Sequence, residues 1–283
     1  MSSASQKLDP SAYRALVAQA LAEDASTHDI TTGAIVSDSD LGRGMFLAKA
    51  PLTLAGCDVA LEVFRQIDPE TSSIFHFNDG DDCPAGVVIG EVRGRARTLL
   101  SGERIALNFL QHLSGVATLS RQFVQAADKK ITILDTRKTT PLFRVLEKYA
   151  VRIGGATNHR TSLEDWFLIK DNHIRMAGDI STAVAGVKAS GVTKTIEVEV
   201  TNLAEVAEAL EAGADMLLLD NMSVEEIREA VRRTGGRAKT EISGGVTLAR
   251  IPELAATGAD YVSSGALTHS APSVDISFEI EPA

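Results

Sequence analysis

The chain has 283 residues, 44% hydrophobic, 23% charged and 5% aromatic, with a formal net charge of −10 and a pI near 5.1. That length supports one large or two ordinary domains with real cores, and the acidic balance argues against a nucleic-acid surface, which needs a basic face. No apolar run approaches the roughly 20 residues of a membrane span, Met1–Asp9 lacks the apolar core of a signal peptide, and Cys57 and Cys83 alone make neither a disulfide framework nor a metal set, so a reducing, cytoplasmic setting is expected.

Asp9-Pro10 is a helix start signal, and Tyr13, Leu16, Val17, Ala20 and Leu21 carry helical spacing on to Asp24. The segment up to Val92 mixes strand-like pieces (Met45–Ala48, Ile74–Phe77, Val87–Val92) with a helix candidate at Val59–Ile67 and a turn cluster at Asp79-Gly80-Asp81-Asp82. This is no clean βα alternation, and it predicts an α+β layer domain over residues 1–115. A long helical pattern follows from about Ser101 to Ala127, with a break expected near Ser114-Gly115.

From Ile131 the pattern changes. Short apolar runs at Ile131–Leu134, Val151–Ile153, Phe167–Ile169, Ile196–Val200, Met216–Leu219, Thr240–Ile242 and Tyr261–Ser263 read as strands. Helical patterns lie at Leu203–Ala212, Val224–Thr234 and Leu248–Thr257. Such repeated βα units predict a parallel sheet or a (β/α) barrel, complete or incomplete, over residues 116–270. Ala212-Gly213-Ala214-Asp215 and Thr257-Gly258-Ala259-Asp260 read as matching turns, each Gly ending a helix and each Asp preceding a strand. Val274–Ile280 alternates and is expected to return as a strand to the first domain.

Function in such a fold sits where strands end. From Arg137 to Lys170 there are seven Lys or Arg against three Asp or Glu, a local positive excess in an acidic chain. Arg137 and Lys138 follow one apolar run, Arg160 follows another with the pair Gly154-Gly155, and Lys170 ends a third. Three cationic clusters at three strand ends predict one receptor for a small polyanion. His159 stands out among the histidines through its neighbour Arg160, whereas His28, His76 and His112 read as satisfied or exposed. Arg144, Glu147 and Lys148, at helical spacing after Pro141, read as a solvated helix face.

Glu197 and Glu199 fall on one strand face, and Asp220 ends the next strand. Glu199 and Asp220 at neighbouring strand ends suit Mg²⁺ held partly by a substrate phosphate; the plainer reading pairs each acid with Lys138 or Lys170. Ser243-Gly244-Gly245 and Ser264-Gly265 are glycine turns on consecutive late strands, the usual phosphate cradle of a βα barrel, although plain βα turns also use Gly. No serine elbow is present and neither Cys is near the cluster, so group transfer from a phosphorylated donor is favoured over covalent nucleophilic catalysis.

DTRKTTP (Asp135–Pro141), NHR (Asn158–Arg160), LIKDNH (Leu168–His173), EVEV, LLLDN, EISGGV and GALTHS occur in order, and with ED…DITT (Glu23–Thr32) and SGERIALNFLQHLSG (Ser101–Gly115) the chain closely resembles the quinolinate phosphoribosyltransferase family. The resemblance implies an N-terminal α/β sandwich domain, a C-terminal open, TIM-like (β/α) barrel and a homodimer. It implies transfer of phosphoribosyl from phosphoribosyl pyrophosphate to quinolinate with loss of CO₂, giving nicotinate mononucleotide in NAD synthesis. It also implies that Arg137, His159, Arg160 and Lys170 face the quinolinate carboxylates, with Thr136 in the substrate site and Lys138 near quinolinate and the donor. Arg104 would enter from the neighbouring subunit. Glu199 and Asp220 would hold ribose hydroxyls and Mg²⁺, and Ser243, Gly244, Gly245, Ser264 and Gly265 the 5′-phosphate. Ala156-Thr157, Ile153 and Ser26-Thr27-His28 depart from the family pattern without removing a charged site residue. A homologue associated with molybdate transport shares RKTTP but tends to lack NHR and KDNH. A non-catalytic sensor of a pyridine dicarboxylate or nucleotide would not need the Glu199/Asp220 pair.

Overall fold

The computed structural model describes residues 7–283, so residues 1–6 of the polar Met1–Asp9 stretch lie outside the described residues. The chain folds as two compact units. The first runs to Arg121 and takes in 140–155 and 270–283; the second is 122–139 with 156–269.

In chain order the first unit begins with α1 (Arg14–Glu23), α2 (Ile30–Ile35), β1 (Leu41–Ala48), β2 (Leu52–Thr53), α3 (Cys57–Ile67), β3 (Ser72–Phe75), β4 (Asp82–Cys83) and β5 (Val88–Arg95). The long helix α4 (Ala96–Ala127) follows, then β6 (Thr132–Leu134) of the second unit and α5 (Arg144–Ile153), which groups with the first. The first unit's main sheet is antiparallel, in the order β12-β1-β5-β3, where β12 is Ile276–Pro282. The alternating Val274–Ile280 segment thus does return, with Phe278 opposite Phe46. A cluster of Phe46, Phe64, Phe75 and Phe278 fills the space between sheet and α3, with ring centroids 4.6–6.3 Å apart. Aromatic residues are scarce in this chain, yet four of its nine Phe meet here, where large rings bury the most surface per residue.

Three expectations change in this unit. Helix α4 does not break at Ser114-Gly115 but runs unbroken for 32 residues. Gly115 is there for close approach: a Cβ would lie 2.2 Å from the carbonyl oxygen of Pro272. Val151–Ile153 is the last turn of α5, not a strand. Glu147 and Lys148 are buried rather than solvated. Glu147 accepts from His112 Nε2 at 2.9 Å and from the Thr140 backbone N–H at 3.0 Å, and the Tyr149 hydroxyl donates to Asp79 at 2.6 Å. These bonds tie residues 140–155 to the first unit, although the sequence reading had placed them within the 116–270 domain.

The second unit continues with β7 (Phe167–Ile169), α6 (Asp171–Ala177), α7 (Ile180–Ala189), β8 (Ile196–Val200), α8 (Leu203–Ala212), β9 (Met216–Asp220), α9 (Val224–Thr234), β10 (Lys239–Ser243), α10 (Ile251–Ala255), β11 (Tyr261–Ser263) and α11 (Ala266–His269). Its six strands are all parallel, in the order β6-β11-β10-β9-β8-β7. Strands β6 and β7 are edges, so the barrel is open, and a lone bridge from Leu134 to Thr157 extends it beyond β6.

Local signals set the helix bounds. Asn202 caps α8 by accepting from Ala204 and Glu205 N–H at 3.0 Å each, and Gly213 ends it at φ +82°. Ser223 and Glu226 form a reciprocal capping box on α9. The two Gly-Ala-Asp turns match as expected. Asp215 accepts from the Ile196 N–H at 2.8 Å with its carboxylate and from Lys239 N–H at 2.9 Å with its carbonyl, joining the feet of β8 and β10 around β9. Asp260 does the same around β11, accepting from Thr240 N–H at 2.9 Å and from Thr132 N–H at 3.1 Å.

Candidate active site

Because all six strands are parallel, their C-terminal ends form one edge, and the loops there carry most of the expected site residues. After β6, Asp135 is fully buried. Its carboxylate accepts from Asn158 Nδ2 at 2.7 Å and from the His159 N–H at 2.8 Å. Asp135 therefore anchors the loop that carries His159 and Arg160. That loop is not a strand end, as the sequence reading had it; it is coil docked beside β6 through Thr157. Thr136 Oγ1 accepts from the Lys138 N–H at 3.0 Å and shapes the turn that presents Arg137 and Lys138. Arg137 is half-buried and close enough to Arg160 for their like charges to oppose each other. Burial first, and then Arg137, pull the Arg160 guanidinium below its ordinary value. Two neighbouring guanidiniums in a partly desolvated setting suit recognition of a carboxylate.

His159 differs from expectation. It is buried, and both ring nitrogens turn to the protein. Nδ1 accepts from the Arg160 N–H at 2.9 Å, while Nε2 lies 3.4 Å from Glu197 and 3.4 Å from Glu241. Burial disfavours its charged form, but the two carboxylates outweigh that and raise it to about 9. Glu241 is itself raised, by burial foremost. With Nδ1 accepting the Arg160 N–H, Nε2 is the ring's donor toward the two carboxylates, and the charged form that those carboxylates favour would cost the Nδ1 bond.

Lys170 follows β7 with its Nζ 3.6 Å from Glu199 on β8. Glu199 is raised above the ordinary carboxylate range: burial raises it, Lys170 lowers it, and the Asp220 charge raises it again. Glu199 and Asp220 thus sense each other as like charges at neighbouring strand ends. A hard divalent cation relieves such repulsion, and two carboxylates completed by substrate oxygens suit Mg²⁺, so the donor set fits. The ion pair with Lys170 shows that the plainer reading also holds for Glu199.

The two glycine turns close the edge. Gly244 sits at φ +88°, and a Cβ there would fall 2.1 Å from Asn221 Oδ1, so its bareness serves the packing of the β9 loop as well as any ligand. Gly245 follows at φ +59° and is exposed, beside the half-buried Ser243. Just past the end of β11, Ser264 is buried with its N–H on Leu134 O at 3.0 Å, and Gly265 precedes the short α11. A Cβ on Gly265 would meet His269 Nε2 at 2.9 Å and Lys138 Cδ at 3.0 Å. The Thr268 hydroxyl donates to the Lys138 carbonyl at 2.8 Å, so α11 holds the lysine turn in place.

All the expected residues of the second unit therefore share this edge. Arg104 lies in the first unit, exposed on α4, with Glu103 as its nearest ion-pair partner at 3.8 Å. The sequence reading left Asp135, Trp166, Glu241 and His269 without roles. Asp135, Glu241 and His269 lay inside quoted motifs; nothing in composition or spacing marks Trp166.

Comparison with known proteins gives a consistent result. The profile for "Quinolinate phosphoribosyl transferase, N-terminal domain" matches residues 29–114, and that for the C-terminal domain matches residues 116–279. A probable nicotinate-nucleotide pyrophosphorylase [carboxylating] of Bacillus subtilis is 44% identical over 260 residues, covering 91% of this chain and 90% of its own. Quinolinate phosphoribosyltransferase [decarboxylating] 1b of Nicotiana tabacum is 39% identical, covering 95% of this chain and 82% of its own. The crystal structure of NadC from Streptococcus pyogenes superposes with a TM-score of 0.94 at 41% identity, covering 98% of this chain and 99% of that one.

Proposed function

The chain belongs to the quinolinate phosphoribosyltransferase family, and from that premise we propose how the C-terminal edge of its parallel sheet performs the family's reaction. The enzyme transfers the phosphoribosyl group of phosphoribosyl pyrophosphate to quinolinate, releasing pyrophosphate and CO₂ and leaving nicotinate mononucleotide for NAD synthesis. The bracketed terms in the relatives' names describe one reaction written in opposite directions.

Arg137, Arg160 and Lys170 receive the two carboxylates of quinolinate, and Lys138 lies between the acceptor and the donor. Ser243, Gly244, Gly245, Ser264 and Gly265 bind the 5′-phosphate through backbone N–H groups, with His269 alongside. Glu199 and Asp220 take the ribose hydroxyls and would hold Mg²⁺, which when bound offsets charge on the departing pyrophosphate. The pyridine nitrogen forms its bond to the ribosyl carbon as the carbon–oxygen bond to pyrophosphate breaks. Lys138 stabilises the charge that develops on that oxygen. The ring is now a pyridinium. Its 2-carboxylate leaves as CO₂, the electron pair stays on the ring carbon beside the cationic nitrogen, and a proton from solvent fills the position. Arg104 of a second copy completes the pocket in a homodimer. Two free buried thiols, Cys57 and Cys83, support a reducing, cytoplasmic setting, and among the described residues no helix is long and apolar enough to cross a membrane.

The observation that supports this reading most is the approach of Arg137 to Arg160 on the sheet edge that also carries the Lys170–Glu199–Asp220 group. Incubation with quinolinate, phosphoribosyl pyrophosphate and Mg²⁺ should yield nicotinate mononucleotide and CO₂, and excess chelator should abolish turnover. Nicotinate lacks the 2-carboxylate and would leave buried cations unpaired, so it should be a poorer acceptor by about 10⁴-fold. Comparable turnover of the two acids would sink the assignment.

A further inference from the structure

Two carboxylates of the second unit have no part in the scheme above. Glu197, the second residue of β8, and Glu241, on β10, are 0% and 1% exposed. Buried acids without compensation are among the costliest groups a fold can carry. Both of these face the same imidazole, His159 Nε2, at 3.4 Å each. His159 in turn accepts the Arg160 N–H on its other nitrogen. Trp166 closes a second route: its indole N–H donates to Glu197 at 2.9 Å, its ring centroid lies 4.7 Å from that of His159, and its carbonyl accepts from the Arg160 guanidinium at 3.4 Å. Arg160 is therefore held at its main chain through His159 and at its side chain through Trp166. Both routes lead back to Glu197, and Glu241 steadies the imidazole alongside it.

A metal would be the competing explanation. The ligand atoms of His159, Glu197 and Glu241 lie within 4.8 Å of one another, and one imidazole with two carboxylates is a plausible transition-metal set. Coordination through Nε2 requires its lone pair, and a neutral imidazole then carries its hydrogen on Nδ1. Here Nδ1 accepts the Arg160 N–H, so the hydrogen is on Nε2 and points at the carboxylates. Loading a metal would break the bond that fixes Arg160.

We propose that Glu197 and Glu241 are positioning residues for phosphoribosyl transfer, acting through His159 and Trp166 to aim Arg160 at a quinolinate carboxylate. This rests on the function proposed above. Neither acid touches the reacting atoms. A planar guanidinium recognises a carboxylate only in a fixed orientation, and a misplacement of about 1 Å in such a group can cost about a hundredfold.

The test compares the full-length enzyme with Glu197→Gln, Glu241→Gln, Trp166→Phe and Arg160→Lys, measuring kcat and the KM of each substrate separately. Glu197→Gln and Trp166→Phe should each raise the quinolinate KM at least tenfold and leave the phosphoribosyl pyrophosphate KM within twofold. Glu241→Gln should raise the quinolinate KM by about threefold, less than Glu197→Gln because it acts through the imidazole alone, and an unchanged value would take Glu241 out of the role. In the double-mutant cycle, adding Glu197→Gln to Arg160→Lys should change the quinolinate KM less than twofold, because the group it positions is already replaced. An unchanged quinolinate KM in Glu197→Gln and Trp166→Phe overturns the proposal, as does an equal rise in both KM values or full multiplicative loss in the cycle. If the unmodified enzyme forms no nicotinate mononucleotide, the functional reading itself falls; an active parent with unaffected variants defeats only the positioning role.

Discussion

Glu199 brings the electrostatics of the site down to one titration. Burial raises its carboxyl, Lys170 opposes that, and Asp220 adds to it. The ionised form is therefore complete only above the ordinary carboxylate range and is lost as pH falls through the raised value. Replacing Lys170 with Met should move the Glu199 titration upward, and Asp220→Asn should move it downward, as read by carbon-13 NMR of glutamate-labelled protein. Identical titration curves in both variants would show that the three groups do not interact. Glu199→Gln should also lower kcat by about a hundredfold if the acid stabilises charge in the transition state. At this scale placement was legible: Arg137, Lys138, Lys170, Glu199 and Asp220 stand at or just past strand ends, as apolar runs that end in charge predict. His159 was legible as important but not in its direction, since spacing shows that an imidazole is present and not what its nitrogens meet. Glu241 lay within EISGGV but showed no role, because an acid inside a short strand resembles any alternating polar position until its neighbour across the sheet is known.

Elements with their own punctuation were the readable ones. The bounds of α8 and α9 match the sequence reading because Asn202, Gly213, Ser223 and Gly235 mark them locally. Misreadings arose where the deciding partner is distant in sequence. Glu147 and Lys148 have the spacing of a solvated face, but His112, 35 residues earlier, turns Glu147 inward. Gly115 looked like a helix breaker because Gly usually weakens a helix, whereas here it admits the Pro272 carbonyl. That gives a test. In an exposed helix interior Gly→Ala stabilises by roughly 1 kcal/mol. Gly115→Ala should instead destabilise by about 1–3 kcal/mol, because the new methyl meets backbone and not a flexible side chain. Urea denaturation decides it, and a gain in stability would show that the chain around Pro272 yields freely.

At the scale of the whole molecule, the expected traffic between copies can be tested through Arg104, which is exposed on α4 in the first unit. Arg104→Ala and Lys138→Ala subunits should each be inactive as homodimers. Mixed under conditions that allow exchange, they should regain up to about half the activity per heterodimer, since one of its two sites carries both defects and the other neither. Proven exchange without recovery would confine Arg104 to its own chain. The two ends of the parallel sheet, meanwhile, answer to different demands. Asp215 and Asp260 fasten β9 and β11 to both of their neighbours at the N-terminal end, while the second unit's residues proposed to meet the substrates stand at or beyond the other. A chain built this way resembles a keyboard instrument: the strings are pinned at one end and tuned at the other. Its loops could be revoiced for a different acceptor acid while the pins stay where they are, which makes the acceptor the cheapest property of this protein to change by mutation and the strand register the dearest.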